Sequence, residues 1–328
     1  MLAYIVRRLL ISIPVLIGSS ILVFIMGKLS GDPLENLRLR NPPVPPQVLQ
    51  NEAHRLRLDL SWPEQYWLWL KELVTTGYFG PANAAGRDIG TELGGAFFVT
   101  LRLVIASIFI ALLLAVLTGV LSATKQYSAF DYSATFSAFL FFSMPLFWFA
   151  ALLKAGGIWF NDNVNSRTFF TIGEKSVEYN DLSRFDQIQD LGGHLILPTI
   201  ALALGIYASW SRFTRASVLE TMNADYVRLA RSKGLPNMRV LIKHALRNAL
   251  IPLTTVTALD VAGLLGGAVI TETVFQWRGM GTLLIAAIST RDTYLLMGWL
   301  LVAATFVILF NLIADLLYGV LDPRIRHA

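Results

Sequence analysis

The sequence contains no cysteine, which excludes disulfide bonds, cysteine-ligated metal sites and thiol catalysis. Charged residues are also scarce: they make up 15% of the 328 residues, whereas soluble domains carry roughly 25%. Hydrophobic residues reach 55%, and the mean hydropathy is +0.56. These values exclude a disordered chain and predict a membrane protein. In so apolar a chain, the net charge of +5 indicates membrane topology rather than binding to nucleic acid.

Motifs for catalysis and nucleotide binding are missing as well. The pair Gly27–Lys28 is not preceded by the glycine that a phosphate-binding loop needs, because that position holds Leu22. The sequence has no G-x-S-x-G motif for a nucleophile and no H-x-x-x-H pair for a metal. The histidines are scattered along the chain, at His54, His194, His244 and His327. We therefore expect no catalytic residue, no metal site and no cofactor in this chain.

The sequence contains several long uncharged runs. A helix that spans a bilayer needs about 20 apolar residues, and backbone groups in hydrocarbon must pair within the helix. The pattern predicts an all-α integral membrane protein with six transmembrane helices, the first of them uncleaved, at Leu9–Gly27, Leu103–Ala123, Tyr132–Leu153, Leu195–Ser211, Asn248–Thr271 and Thr293–Ala314.

The distribution of Lys and Arg predicts the orientation of these helices. Basic residues are about twice as dense in residues 1–8, 124–131, 212–247 and 315–328 as in the alternate segments, and basic loops stay in the cytoplasm. We expect both termini to be cytoplasmic and the whole chain, residues 1–328, to form a single membrane domain. Its predicted external loops are a large one at 28–102 and smaller ones at 154–194 and 272–292, and its main cytoplasmic loop is 212–247.

The large external loop has a pattern of its own. Asn41–Pro46 predicts an extended spacer, and Gln47–Leu58 and Glu64–Val74 each predict a short helix. In the second of these, Tyr66, Trp67 and Trp69 suit a membrane–water interface. A small packed cap without ligand contacts is the alternative.

The cytoplasmic loop 212–247 carries the pattern most informative about function. Asn223 can cap a helix that starts at Ala224, Gly234 can end it, and Pro236 suits the first turn of the next helix. Val227, Ala230 and Gly234 would share one small face. A groove on a partner and the surface of an anionic membrane both fit such a face equally well. The predicted site comprises Asp225, Val227, Arg228, Ala230, Arg231, Lys233 and Gly234.

The stretch DYVRLARSKGLPNMRVLIKHALRNALIPL resembles the signature loop of ABC-importer permeases, with Ala230, Gly234 and Pro252 at its key positions. The chain as a whole resembles the first permease subunit of dipeptide and oligopeptide importers (OppB/DppB type). The resemblance rests on motifs that follow in order at the family's spacing: RRLLISIPVL, SGDP, LDLSWPEQYWLWL, SMPLFWF, HLILPTIALAL, GGAVITETVFQW and DLLYGVLDPRIR.

This resemblance implies a type I ABC-importer permease fold in a bacterial inner membrane. It implies a second, similar permease as partner, two ATPase subunits that bind ATP and magnesium, and an external binding protein that delivers a peptide. Residues 224–233 would be the helix that couples the permease to an ATPase. Relatives of this type also carry nickel, glutathione and oligosaccharides, so these solutes stay open as alternatives.

Three residues inside the apolar runs are predicted to lie along the translocation pathway: Asp260, Pro145 and Thr257. A carboxylate at the middle of a span costs at least about 2.5 kcal/mol, so Asp260 should face a cavity or a partner group. It would contact the amino terminus of a peptide, or else form a hydrogen-bonded helix contact. Pro145 should kink the third helix. A stand-alone secondary transporter is the second functional hypothesis, although the sequence shows no inverted repeat.

Overall fold

The computed structural model describes residues 2–166 and 168–321, and helices dominate this part of the chain. The predicted tail 315–328 therefore lies outside the described residues beyond residue 321. The α-helices are α1 (Leu2–Leu29), α2 (Glu35–Arg38), α3 (Pro46–Arg55), α4 (Trp62–Thr76), α5 (Ile89–Thr124), α6 (Ala129–Ser143), α7 (Leu146–Val164), α8 (Arg184–Met222), α9 (Asp225–Ser232), α10 (Asn237–Arg239), α11 (Arg247–Phe275), α12 (Met280–Ser289) and α13 (Thr293–Leu321). A 3₁₀ turn occupies Tyr179–Asp181, and a π-helical segment, Val240–Leu246, joins α10 to α11.

Long apolar helices confirm that this is an all-helical membrane protein. Among the described residues, four stretches are long and apolar enough to cross a bilayer: Ile5–Leu29, Ile89–Thr124, Arg184–Met222 and Thr293–Ile313. A bent pair, α6 with α7, would make a fifth. The predicted span Asn248–Thr271 lies within the 29-residue helix α11. The count of six spans stays a prediction.

The third predicted span, Tyr132–Leu153, is broken rather than kinked. Helix α6 ends at Ser143, α7 begins at Leu146, and the two axes differ by 106°. Pro145 precedes α7 in an extended conformation with φ −60° and ψ 129°. Proline lacks an N–H and pushes the residue before it away from helical geometry, so it starts a new helix here. The expectation of one continuous, kinked helix was wrong.

Two other helices extend well beyond the predicted spans. Helix α5 begins at Ile89, so residues 89–102 are helical and not part of an irregular loop. Helix α8 has 39 residues, about 59 Å at 1.5 Å per residue, which is nearly twice the thickness of a hydrocarbon core. Ser183 caps α8 by accepting the Asp186 N–H, which fixes the start of this helix outside the apolar run Leu195–Ser211.

The chain divides into two compact units, and the first comprises Met1–Thr100 and Arg278–Ile308. Both predicted loop helices form here, as α3 and α4. Glu64 fixes the start of α4 by accepting hydrogen bonds from the Ser61 N–H and hydroxyl, and Gly77 ends the helix at φ +70°. Trp69 is fully buried and donates its indole N–H to the Phe79 carbonyl at 3.0 Å.

Of the three aromatic residues predicted to lie at a membrane interface, only Trp67 is largely exposed, at 65%. Trp69 belongs to the core of the first unit, and Tyr66 is within 2.9 Å of the Ser20 hydroxyl through its own hydroxyl. The expectation for Trp69 was therefore wrong, and that for Tyr66 stays a prediction. The Trp69 ring serves packing instead, because its polar end finds a partner within the unit.

The second unit comprises Leu101–Trp277 and Leu309–Ala328. Its described core surrounds α8, where Ala203, Tyr207 and Trp210 pack with Ala111 and Leu253. The segment that follows α7 is fastened to the helices, since Phe170 stacks against His194 with ring centroids 4.3 Å apart. The Gly173 N–H donates to the Phe275 carbonyl at 2.8 Å. This segment is therefore part of the packed unit and not a free loop.

Candidate functional site

The predicted coupling helix exists as α9, Asp225–Ser232. Gly234 adopts φ +75°, the left-handed conformation expected of a residue that ends a helix. The cap predicted at its start was wrong: Asn223 ends α8 and donates its side-chain amide to the Leu219 carbonyl at 3.1 Å. Ala224 precedes α9 instead. Pro236 likewise precedes α10 rather than lying inside its first turn.

The face of α9 that was predicted to dock onto a partner is covered by this chain itself. Val227 is 0% and Ala230 is 5% exposed, and both pack against Val240 and Ala245 of the π-helical segment. Gly234, the third member of that face, is exposed. The small residues Val227 and Ala230 therefore hold α9 against the π-helical segment Val240–Leu246. Helix α9 forms where it was predicted, but Val227 and Ala230 do not lie on its free side. Its role in coupling stays a prediction.

Two apolar side chains dominate the free side of α9. Leu229 is 57% and Tyr226 is 44% exposed, three residues apart and hence on neighbouring positions of one face. Exposed cationic and anionic groups accompany them: Arg228 forms an ion pair of 3.3 Å with Asp225, and Arg231 and Lys233 are exposed. The arrangement presents two exposed apolar side chains on a helix that also carries exposed charged groups.

A buried ion pair joins the helices next to α9. Arg215 of α8 binds Asp131 of α6 in a bidentate manner, with Nε–Oδ1 2.7 Å and Nη2–Oδ2 2.8 Å. The hydroxyl of Ser122 on α5 and the Tyr127 N–H also donate to this carboxylate. Asp131 is 3% exposed. Sequence reasoning missed this network, although a charged residue at the end of each of two apolar runs was a usable signal.

The residues predicted to line a pathway have local partners in the second unit. The Trp210 indole N–H donates to Asp260 Oδ2 at 2.7 Å, and Trp210 is fully buried. This hydrogen bond is the helix contact that sequence analysis weighed against a cargo contact. Thr257 donates to the Leu253 carbonyl at 2.8 Å, within its own helix. Pro145 lies at the break between α6 and α7. Their predicted role along a pathway stays a prediction.

Within the part of the chain that the structure describes, no three His, Asp or Glu side chains are grouped closely enough to hold a metal ion. Arg215 is paired with Asp131 and Arg228 with Asp225, whereas Arg231 and Lys233 are exposed. What the arrangement offers is a pair of exposed apolar side chains on α9, Tyr226 and Leu229, and a set of helix contacts beside it.

Known proteins match the chain over most or all of its length. Residues 115–327 match the family described as binding-protein-dependent transport system inner membrane component. The dipeptide transport system permease protein DppB of Alkalihalophilus pseudofirmus is 38% identical, with 100% of each chain covered. The oligopeptide transport system permease protein AppB of Bacillus subtilis is 36% identical over 100% of each chain. Among solved structures, the inward-facing MetNI methionine ABC transporter matches with a TM-score of 0.53 at 17% identity, covering 70% of this chain and 96% of that chain.

Proposed function

Because this chain belongs to the family of ABC-importer permeases for dipeptides and oligopeptides, inner-membrane components of binding-protein-dependent transport systems, we propose that it lines half of a peptide translocation pathway. A second, similar permease supplies the other half. An external binding protein delivers the peptide, and two ATPase subunits bind and hydrolyse ATP with magnesium. This chain itself holds no cofactor.

The free face of α9 is the observation that carries the coupling role. Leu229 and Tyr226 are exposed apolar groups on a short helix that Val227 and Ala230, on an adjoining face, anchor to the π-helical segment. An anchored helix with an exposed apolar centre suits a groove on a partner, because force on the helix passes to α8 through the packed cluster. The ATPase subunit would accommodate the side chains of Leu229 and Tyr226.

The proposed topology follows from this role. Residues 212–247 and both termini face the ATPases in the cytoplasm, and residues 28–102, 154–194 and 272–292 face the binding protein. The higher density of Lys and Arg in the first set supports this orientation. Peptide is the proposed cargo because the full-length relatives are named for dipeptide and oligopeptide transport. Nickel, glutathione or an oligosaccharide on the same architecture is the alternative.

Substitution of the free face tests the coupling role. Leu229→Glu and Tyr226→Glu place a charge at the centre of the proposed contact, and both positions are exposed, so folding should be retained. We expect both variants to lose co-purification with the ATPase subunits and to lose ATP hydrolysis stimulated by peptide. Val177→Glu is the matched control, because Val177 is a fully exposed apolar residue in the segment predicted to be external.

Retention of the ATPase subunits by Leu229→Glu at the level of the unmodified chain would contradict this assignment. Peptide uptake by the purified chain alone, without ATPases, would favour the stand-alone secondary transporter instead. Uptake that depends on the ATPases but excludes peptides would keep the coupling role and change the cargo.

A further inference from the structure

Helix α4 leaves one of its sides exposed in the first unit. Trp67 is 65% and Val74 is 77% exposed. They are seven residues apart, about two helical turns, so both lie on one side of α4 with the exposed Lys71 between them. Gln65 and Trp69 lie on the other side and are buried. Helix α4 therefore presents two large apolar side chains to its surroundings.

Contacts with α1 indicate the depth at which α4 lies. The Tyr66 hydroxyl oxygen is 2.9 Å from that of Ser20, and the Tyr66 ring centroid is 5.6 Å from that of Phe24. Ser20 lies seven residues before the end of the apolar run Leu9–Gly27, which is about 10 Å along the helix. Because the tip of the Tyr66 side chain makes this contact, the backbone of α4 lies within one side-chain length of a position inside the apolar run of α1.

The same stretch of α1 exposes apolar side chains of its own. Leu22 and Met26 are 57% and 61% exposed, and both lie between Ser20 and the end of the apolar run. A helix that crosses a bilayer turns such side chains toward the acyl chains. At the depth of the Tyr66 contact, the medium around the first unit is therefore hydrocarbon.

Helix α4 is too short to cross the membrane. Its 15 residues extend over about 22 Å, whereas the hydrocarbon core is about 30 Å thick. Gly77 ends the helix at φ +70°, and the Trp69 indole binds the Phe79 carbonyl in the segment that follows. The helix therefore lies in one leaflet, and the chain enters and leaves it on the same side.

The charged residues near the exposed side suit a shallow position in that leaflet. Glu72 accepts two hydrogen bonds of 2.8 Å from Nη2 of Arg57, so its charge is compensated within the unit. Lys71 can keep its apolar stem beside Trp67 while its ammonium group extends toward the headgroups. Tryptophan is enriched where hydrocarbon meets the headgroup layer, and Lys with Trp is typical of helices that lie in this plane.

We propose that α4 is a non-spanning helix embedded in the leaflet at the Lys28 end of α1, with Trp67 and Val74 in contact with lipid acyl chains. Lys71 extends from there to the lipid phosphates. Part of the segment 28–102, predicted to be an external loop, then lies in the membrane and anchors the first unit there. Only the identification of this leaflet as the external one rests on the proposed topology.

Spin labels test the depth of α4. The chain contains no cysteine, so Trp67→Cys and Val74→Cys each carry a single nitroxide label. The labelled full-length chain, with the subunits that co-purify with it, is placed in lipid nanodiscs, and collisions of the label with oxygen and with a water-soluble nickel chelate are measured. Val177→Cys is the matched control, because Val177 is a fully exposed apolar residue outside the apolar runs.

We expect the ratio of oxygen to nickel collisions at residues 67 and 74 to exceed that at residue 177 by about threefold or more, because polar solutes are excluded from hydrocarbon. A ratio equal to that at residue 177 would place α4 in water and overturn the proposal. Low collision rates with both probes would mean that another protein subunit covers this side, which would also overturn it. High ratios in a complex that transports no peptide would support the insertion of α4 and contradict the proposed function alone.

Discussion

Asp292 in the first unit and Asp131 in the second are each 3% exposed, but the chain compensates them differently. Asp292 accepts backbone N–H groups, from Asn83 at 2.7 Å and from Leu295 at 3.0 Å, and has no ion pair among the described residues. Asp131 binds Arg215 through two charged hydrogen bonds. The Asp292 carboxylate binds backbone N–H groups, whereas the Asp131 carboxylate links the three helices α5, α6 and α8.

The two units use these buried carboxylates for different contacts. Asp292 joins the turn before α13 to the turn before α5, and Arg55 strengthens this join by donating to the carbonyls of Ala82 and Asn83. Burial raises the pKa of Asp292 above its ordinary value, because the two backbone donors and the charges of Arg55 and Arg87 offset only part of the lost hydration. In the second unit a full counter-charge holds α6 against α8, the helix that leads to α9. Removing one partner there strands a charge.

Asp131→Ala should have the largest effect on folding. It strands the Arg215 guanidinium, and loss of one partner of a buried pair costs about 3 kcal/mol or more in the free energy of unfolding. The measurement is unfolding of the chain in detergent micelles by titration with a denaturing detergent. The double variant Asp131→Ala with Arg215→Ala should lose less than the sum of the two single variants. Additive losses would mean that Asp131 and Arg215 stabilise the fold independently and not through their ion pair.

Gly119→Val should have the second-largest effect and lower the free energy of unfolding by about 2 kcal/mol, because overfilling a packed contact costs about 1 to 3 kcal/mol. The added atoms force α5 away from α8 and draw Ser122 off Asp131. Gly205 of α8 is the matched control, because a Cβ atom there meets nothing within 4 Å. Gly205→Ala should be neutral or slightly stabilising, and the same unfolding titration measures both. An unchanged Gly119→Val variant would show that the close approach of α5 and α8 is dispensable.

Asp292→Asn should cost about 1 to 2 kcal/mol at neutral pH, because one carboxylate oxygen becomes an amide that faces a backbone donor. The raised pKa of Asp292 adds a pH dependence. The folded state retains this proton to a higher pH than the unfolded state, so the residue's contribution is full at acidic pH and falls as pH rises through the folded pKa. The stability difference between the unmodified chain and Asp292→Asn should therefore grow as pH falls from 7 toward 4. A difference independent of pH would contradict the raised pKa.

Arg228→Gln should have the smallest effect on folding, within about 0.5 kcal/mol. Its partner Asp225 is almost fully exposed, and solvent screens a pair of this kind. The variant completes the comparison, since it removes a cation from an exposed pair and not from a buried one. Destabilisation comparable to that of Asp131→Ala would mean that α9 depends on its surface charges and not on Val227 and Ala230.

Several elements were predictable because they rest on local chemistry. The apolar runs predicted α1, α5, α8 and α13 as membrane helices, and Gly234 predicted the end of α9. The helices α3 and α4 formed close to their predicted bounds. The first residues of helices were less predictable. Asn223 was expected to cap the start of α9, but its side-chain amide binds a carbonyl at the C-terminal end of α8 instead.

The sequence by itself determined that the chain is a helical membrane protein and which loop carries the short helix α9. Both follow from the cost of placing unpaired backbone groups and charges in hydrocarbon, which acts on each segment separately. Only the tertiary structure decided which face of α9 stays free, that Asp131 pairs with Arg215, and that Trp210 binds Asp260. Each of these contacts joins residues that are distant in sequence. Burial at such a contact depends on which small residue, such as Gly119, lets two helices meet, and no local pattern contains that information.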